Sequence, residues 1–240
     1  MILKSVTQRI KIKMKKYIIS AGLSFFLLAS VFSFETRICH SYNADSSLFP
    51  KTIYTEYYKN KLSTGYPVRY CVQSVFDISK NEAKGYSCEQ ILARLDQLGG
   101  LEKECFGVSY LDERTGTRKA VFKKSRYDDK THELYIKDKS AGGLYFNVNI
   151  DKYNYNGKLY IVRAILSKTP DNFFVRGIKK KEAEIFVLME EKEDTVTVYS
   201  LMQCSYNPLN HKFVKSYVES AVTARVGALQ DWFYRMLCTK

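Results

Sequence analysis

One stretch near the C-terminus constrains the fold of this chain more than any other. Residues Phe213 to Leu237 read FVKSYVESAVTARVGALQDWFYRML, with apolar side chains at 214, 217, 218, 221, 222, 228, 229, 232, 233 and 236. That is the i, i+3, i+4, i+7 spacing of an amphipathic α-helix. Lys215, Ser216, Glu219, Ser220, Thr223, Gln230 and Asp231 fall on the opposite side. A helix of this length is roughly 36 Å long. The sequence upstream is strand-like, so the apolar stripe is expected to be buried against a sheet.

Tyr66 to Ser79 alternates Val68, Tyr70 and Val72 with Arg69, Cys71 and Gln73, the pattern of a first strand. Ser87 followed three residues later by Gln90 predicts a capping box. Ile91, Leu92, Leu95 and Leu98 form the apolar face of the helix it starts. Gly99-Gly100 ends that helix, and a short helical piece to Cys105 follows. Beyond it come hairpins: 107–111 with 119–125 around Thr115-Gly116, 144–153 with 159–167 around Asn156-Gly157, and 184–191 with 195–205 around Lys192-Glu193-Asp194. Residues 126–142 read as a polar excursion with a short strand at Leu134-Tyr135-Ile136.

The middle hairpin allows a register prediction. Phe146, Val148 and Ile150 alternate with Asn147, Asn149 and Asp151. A two-residue Asn-Gly turn would set Arg163 opposite Ile150. A three-residue loop, Tyr155-Asn156-Gly157 with Gly157 left-handed, keeps Phe146, Val148 and Ile150 on one face with Val162, Ala164 and Leu166. The three-residue form is therefore expected.

The element order is one strand, one or two helices, about six antiparallel strands and one long C-terminal helix. This resembles the helix-grip architecture of the START-like and Bet v 1-like proteins over roughly Tyr66 to Leu237. The resemblance implies an α+β fold: a curved antiparallel sheet of about seven strands wrapped on the C-terminal helix. It also implies a cavity for an apolar ligand between them. More narrowly, the chain resembles exported bacterial proteins of unknown function, which carries no activity over.

Arg225 is the most informative single residue. On a helical wheel with Val214 and Trp232 at about 0°, Arg225 falls at about 20° and Val218 at about 40°, in the middle of the buried stripe. A buried guanidinium must be paired, either with an acid from the sheet or with an anionic group on a ligand. Ala221 and Ala228 flank it one turn away on each side and either let the helix approach the sheet or leave a space. The candidate ligand-binding set is thus Arg225, Ala221, Ala228, Trp232 and Val218. Trp232, the only tryptophan, is either core or the plug of one end.

Charge and leader set the address. The net charge is +13. Lys4, Arg9, Lys11, Lys13, Lys15 and Lys16 precede the apolar run Tyr17–Phe32, and the rest of the chain is mildly basic. A secretory signal over residues 1–33 is expected, cleaved after Ser33, with Met14 as an alternative initiator and an uncleaved anchor as the competing reading. Thr36-Arg37-Ile38 makes Cys39 a poor lipidation site. A lead-in segment follows over 34–65, in which Ile53, Tyr57, Tyr58 and Leu62 form a short helix, and then the domain over 66–240. The mild basicity calls for no nucleic-acid partner but admits peripheral contact with an anionic membrane surface.

Catalytic and metal motifs are missing. His40, His132 and His211 are scattered, and no nucleophile elbow, HExxH or phosphate-binding glycine loop is present. Glu190, Glu191, Glu193 and Asp194 read as a solvated hairpin tip. The six cysteines at 39, 71, 88, 105, 204 and 238 fit no metal pattern and permit disulfides, with free, buried cysteines as the alternative. Cys204 with Cys238 is argued against, because the long helix would separate them far beyond the ~7 Å limit. Residues 168–183 form a basic loop in which Phe173 and Phe174 either gate a site or tuck into the core. The reading is an exported, non-catalytic binder of an apolar or amphipathic, and on one view anionic, ligand, needing no cofactor. The alternatives are an envelope interaction protein with a filled core and a cyclase-like enzyme. A cavity at Arg225 separates the first and third from the second.

Overall fold

The computed structural model describes residues 37–63, 65–93, 107–112, 115–138, 141–170, 177–206 and 212–239. Its strands are β1 (Arg37–Ser41), β2 (Tyr70–Ser79), β3 (Ser109–Asp112), β4 (Thr117–Ala120), β5 (Phe122–Asp128), β6 (Glu133–Asp138), β7 (Gly142–Asn154), β8 (Lys158–Leu166), β9 (Ala183–Glu191) and β10 (Thr195–Cys204). Its helices are α1 (Thr55–Ser63), α2 (Cys88–Ala93) and α3 (Lys212–Cys238). The leader, the piece running to Cys105 and the Phe173–Phe174 loop lie outside the described residues.

The fold is α+β. Eight strands form one antiparallel sheet in the order β1-β2-β10-β9-β8-β7-β6-β5, and β3 and β4 pair separately. The sheet has eight strands, not about seven, because the segment expected only as a lead-in supplies β1, paired along β2 from Arg37↔Val75 to Ser41↔Cys71. The expected strand 119–125 is broken at Val121, whose amide donates to the Val108 carbonyl at 3.0 Å. That break sends β4 to the small sheet and β5 to the large one.

Both faces of the central strands are covered, which explains their near-continuous apolar sequence. On the outer face, Phe49, Tyr58 and Leu62 pack on Cys71, Val75, Phe186, Leu188, Tyr199 and Leu201. Tyr58 and Leu62 are buried within α1 as expected, but Ile53 and Tyr57 are 62% and 50% exposed. Thr55 completes the buried face instead. Gln73, fully buried on the same face, accepts from the Leu48 amide at 3.1 Å and from the Tyr199 hydroxyl at 3.2 Å.

The local predictions can be read off the hydrogen bonds. The Gln90 amide donates to Ser87 Oγ at 3.2 Å, and the Ser87 amide donates to Gln90 Oε1 at 3.0 Å, a reciprocal capping box. In the β7–β8 hairpin Asn154 pairs with Lys158, leaving three loop residues, and Val148 faces Ala164 while Ile150 faces Val162. Asn156 takes φ 46° and Gly157 φ 133°, so both lie at positive φ.

The inner face carries α3, which packs against β1, β2, β10 and the small β3–β4 hairpin. Its last carbonyls, orphaned at any helix end, are taken by loop amides. Gly85 donates to Leu237 at 2.7 Å and Tyr86 to Met236 at 2.8 Å. Among the described residues no helix is long and apolar enough to cross a membrane.

Candidate functional site

Because α3 leans on the β1, β2 and β10 side of the sheet, the inner face of β5 to β9 is left at a distance from it. A cavity of about 240 Å³ fills the gap. Its walls follow from strand alternation: Leu134 and Ile136 on β6, Phe146 and Val148 on β7, Val162, Ala164 and Leu166 on β8, and Ile185 and Val187 on β9. From α3 come Ala221, Val222, Arg225, Val226, Leu229, Trp232 and Phe233. Pro170 and Ile178 border it as well.

Arg225 lines this cavity and is paired within the protein. Its Nε donates to Asp138 Oδ2 at 2.6 Å and its Nη2 to Asp138 Oδ1 at 2.7 Å, the two-pronged geometry that favours arginine over lysine. Its Nη1 donates to the Ala221 carbonyl at 2.6 Å. The Asp138 side chain is only 2% exposed against 22% for Arg225, and its Oδ1 also accepts from the Ala141 amide at 2.8 Å. Of the two partners the sequence allows for Arg225, the acid from the sheet is present.

The other candidates separate. Ala221 and Trp232 border the cavity with Arg225. Ala228 is buried but does not line it. Val218 belongs to α3, with its side chain outside the described residues.

Three polar residues of this face were missed. Asp138 continues the inward alternation Leu134, Ile136, Asp138, a signal that the reading of 126–142 as a polar excursion concealed. Ser200 lines the cavity, is 1% exposed, and its Oγ has no hydrogen-bond partner among the described residues. Gln230, expected on the solvent side of α3, is fully buried and donates to Ser74 Oγ at 2.6 Å and to the Ser74 carbonyl at 3.3 Å. The correction has a physical cause: the side of α3 that carries Gln230 packs on β2, and the β3–β4 hairpin flanks a further side. Arg118 of β4 pairs with Asp231, and Arg235 donates to the Gly107 carbonyl at 2.9 Å. A wheel that assumes one buried stripe cannot place such residues.

One further expectation is corrected, and one open alternative is decided among the described residues. Glu190 and Glu191 are not a solvated tip; their side chains are 15% and 11% exposed and pair with Lys192 and Lys80 at 3.1 Å each. The five described cysteines, Cys39, Cys71, Cys88, Cys204 and Cys238, are all free. Among the described residues no group of His, Cys, Asp and Glu side chains could hold a metal ion.

A scan against protein-family models found no match to this chain, and a search of curated proteins found none either.

Proposed function

We propose that the protein is a non-catalytic binder of an apolar or amphipathic small molecule in the cell envelope, held between the sheet and α3. The observation that carries this reading is the cavity itself, walled by aliphatic and aromatic side chains from six strands, β5 to β10, and from α2 and α3. An unfilled apolar space of this kind costs stability, and a filled core would have closed it. At about 240 Å³ it is smaller than the roughly 300–1,000 Å³ of pockets for drug-sized ligands. That favours a small molecule or one chain of a larger amphiphile. An antiparallel sheet, a long C-terminal helix on its inner face and a cavity between them support the helix-grip reading at the same time.

The acid-binding version of the reading loses its main support, because Asp138 already neutralises Arg225. A ligand head group meets an ion pair, not a lone cation. The polar groups at the cavity are otherwise isolated, Ser200 above all, which favours binding over turnover.

The test is native mass spectrometry of the protein purified from its own host, followed by organic extraction. The expected result is a co-purifying apolar molecule that is absent from an Ala164→Phe variant with unchanged circular dichroism. Wild-type protein that carries nothing, and that no alkyl alcohol or fatty acid stabilises against heat, would overturn the reading.

A further inference from the structure

The outer face of the sheet is not uniform. Over β2, β8, β9 and β10 it is covered by Phe49, Tyr58 and Leu62. Over β5, β6 and β7 the outward side chains reach solvent, and Lys124, Arg126 and Lys137 are exposed. The register lines them up in rows. Lys124 sits opposite Lys137, and Lys137 opposite Gly143. Arg126 sits opposite Tyr135, and Tyr135 opposite Tyr145.

This arrangement works against stability. Like charges directly opposite each other on antiparallel strands repel. None of Lys124, Arg126 and Lys137 makes an ion pair among the described residues. The next row of the same face sets Asp128 opposite Glu133, so with Lys168 the cations outnumber the carboxylates four to two. A fourth cation, Lys168, lies 3.7 Å from the centroid of the Tyr145 ring and 3.3 Å from Glu133, the one carboxylate it reaches on this face. The two phenols between these charges are packed in place, with ring centroids 4.8 Å apart. Tyr135 lies over Gly143, where an added Cβ would come within 3.2 Å of the ring. The result is a three-strand face with four cations and two carboxylates around two packed phenol rings.

We propose that this face docks the protein on a bilayer surface carrying anionic lipid head groups. Charge complementarity points to an anionic partner. The amphipathic phenols suit the boundary between head groups and acyl chains. Whether the apolar run Tyr17–Phe32 is cleaved or kept, it brings the chain to a membrane. A single-stranded nucleic acid fits less well, because bases need open ring faces to stack on. One face of Tyr145 is taken by Lys168, and Tyr135 is wedged between Tyr145 and Gly143. The inference uses the outer face alone and does not depend on the inner cavity.

The test is flotation of the full chain with vesicles of phosphatidylcholine alone and of phosphatidylcholine mixed with phosphatidylglycerol. The apolar run is common to all variants and acts on both vesicle types, so the face is read as the ratio of binding to anionic over neutral vesicles. Each lysine near an anionic surface is worth about a fivefold factor, so K124Q/K137Q should lower that ratio at least about tenfold. Raising the salt from about 0.1 M to about 1 M should abolish the wild-type preference, since screening tightens from about 10 Å to about 3 Å. R126Q alone should give a smaller loss of the same kind, which guards against a fold defect in the double variant. An unchanged ratio in both variants would overturn the proposal. So would a variant loss seen on poly(dT) but not on vesicles.

Discussion

Asp138 of β6 and Arg225 of α3 join across the cavity, and this pair ties the helix to the half of the sheet it otherwise stands away from. It acts as a strut, holding open a space that two apolar surfaces would tend to close.

Breaking the strut from one side should therefore be costly. Asp138→Asn leaves the guanidinium without its counter-charge and is expected to lower stability by about 3 kcal/mol. Replacing both partners, Asp138→Leu with Arg225→Met, should recover most of that loss. Urea unfolding of the wild type and the variants measures it, and a double variant no more stable than the single would show that the charges are not acting as a pair.

Ser200 faces the cavity with its hydroxyl unpartnered. A buried polar group left unmade costs about 1–3 kcal/mol, so Ser200→Ala should stabilise ligand-free protein by about 1 kcal/mol. With alkyl alcohols as probes the same change should weaken binding severalfold, because the hydroxyl is a polar group of the lining with no partner among the described residues. Thermal shift with and without decanol reads both effects. A variant less stable than wild type in the absence of any alcohol would contradict the assignment.

Glu191 supplies a pH dependence. Burial by itself would raise its carboxyl, but the Cys88 amide at 2.7 Å and the Lys80 ammonium at 3.1 Å outweigh burial and hold it below the ordinary range. A depressed carboxylate contributes stability that is full above its unfolded value of about 4.3 and is lost as pH falls through the lower folded value. Glu191→Gln is expected to cost about 2 kcal/mol at neutral pH and to flatten the acid limb of the melting-temperature profile. Parallel acid limbs in wild type and variant would remove this group from the account.

The free cysteines give a chemical check on packing. Burial pushes the Cys71 thiol up to about 11 and the Cys204 thiol up to about 12, and it raises Cys88 well above the usual thiol range. The thiolate is the reactive form, so these three should resist iodoacetamide at neutral pH until the protein is unfolded. Cys39 and Cys238 are only partly buried and should be alkylated first. Peptide mapping after native and denatured labelling decides it. A disulfide among Cys71, Cys88 and Cys204 would refute the packing described here.

The sequence carried some parts of this structure and not others, for identifiable reasons. The capping box at Ser87 and Gln90 and the three-residue loop at 155–157 depend on neighbours in the chain, and alternation or spacing reveals them. The long helix declares itself by its period. Asp138 as the partner of Arg225 could be known only by carrying the β6 alternation two residues further and then crossing from one element to another. Gln230 was misplaced because its side of α3 packs on β2, where Ser74 meets it, a tertiary event that no helical wheel contains. Strand β1 reads Arg-Ile-Cys-His-Ser with no apolar alternation, so only its pairing with β2 makes it a strand.

The position of β2 beside β10 has a consequence in time. These strands pair from Tyr70↔Cys204 to Ser79↔Thr195, a loop on the order of 125 residues, so their closure is a long-range and slow event. At about 5–20 residues per second, roughly 6–25 s of synthesis separate the two strands. Strands β5 to β9 are made within that interval and α3 only after it, so from the completion of β9 until α3 emerges their apolar inner wall lacks its helix. A chain stalled or cut before Lys212 would present that wall to its surroundings. The last helix is thus what closes over an adhesive sheet, and aggregation of chains truncated ahead of it is the hazard this order of elements builds in.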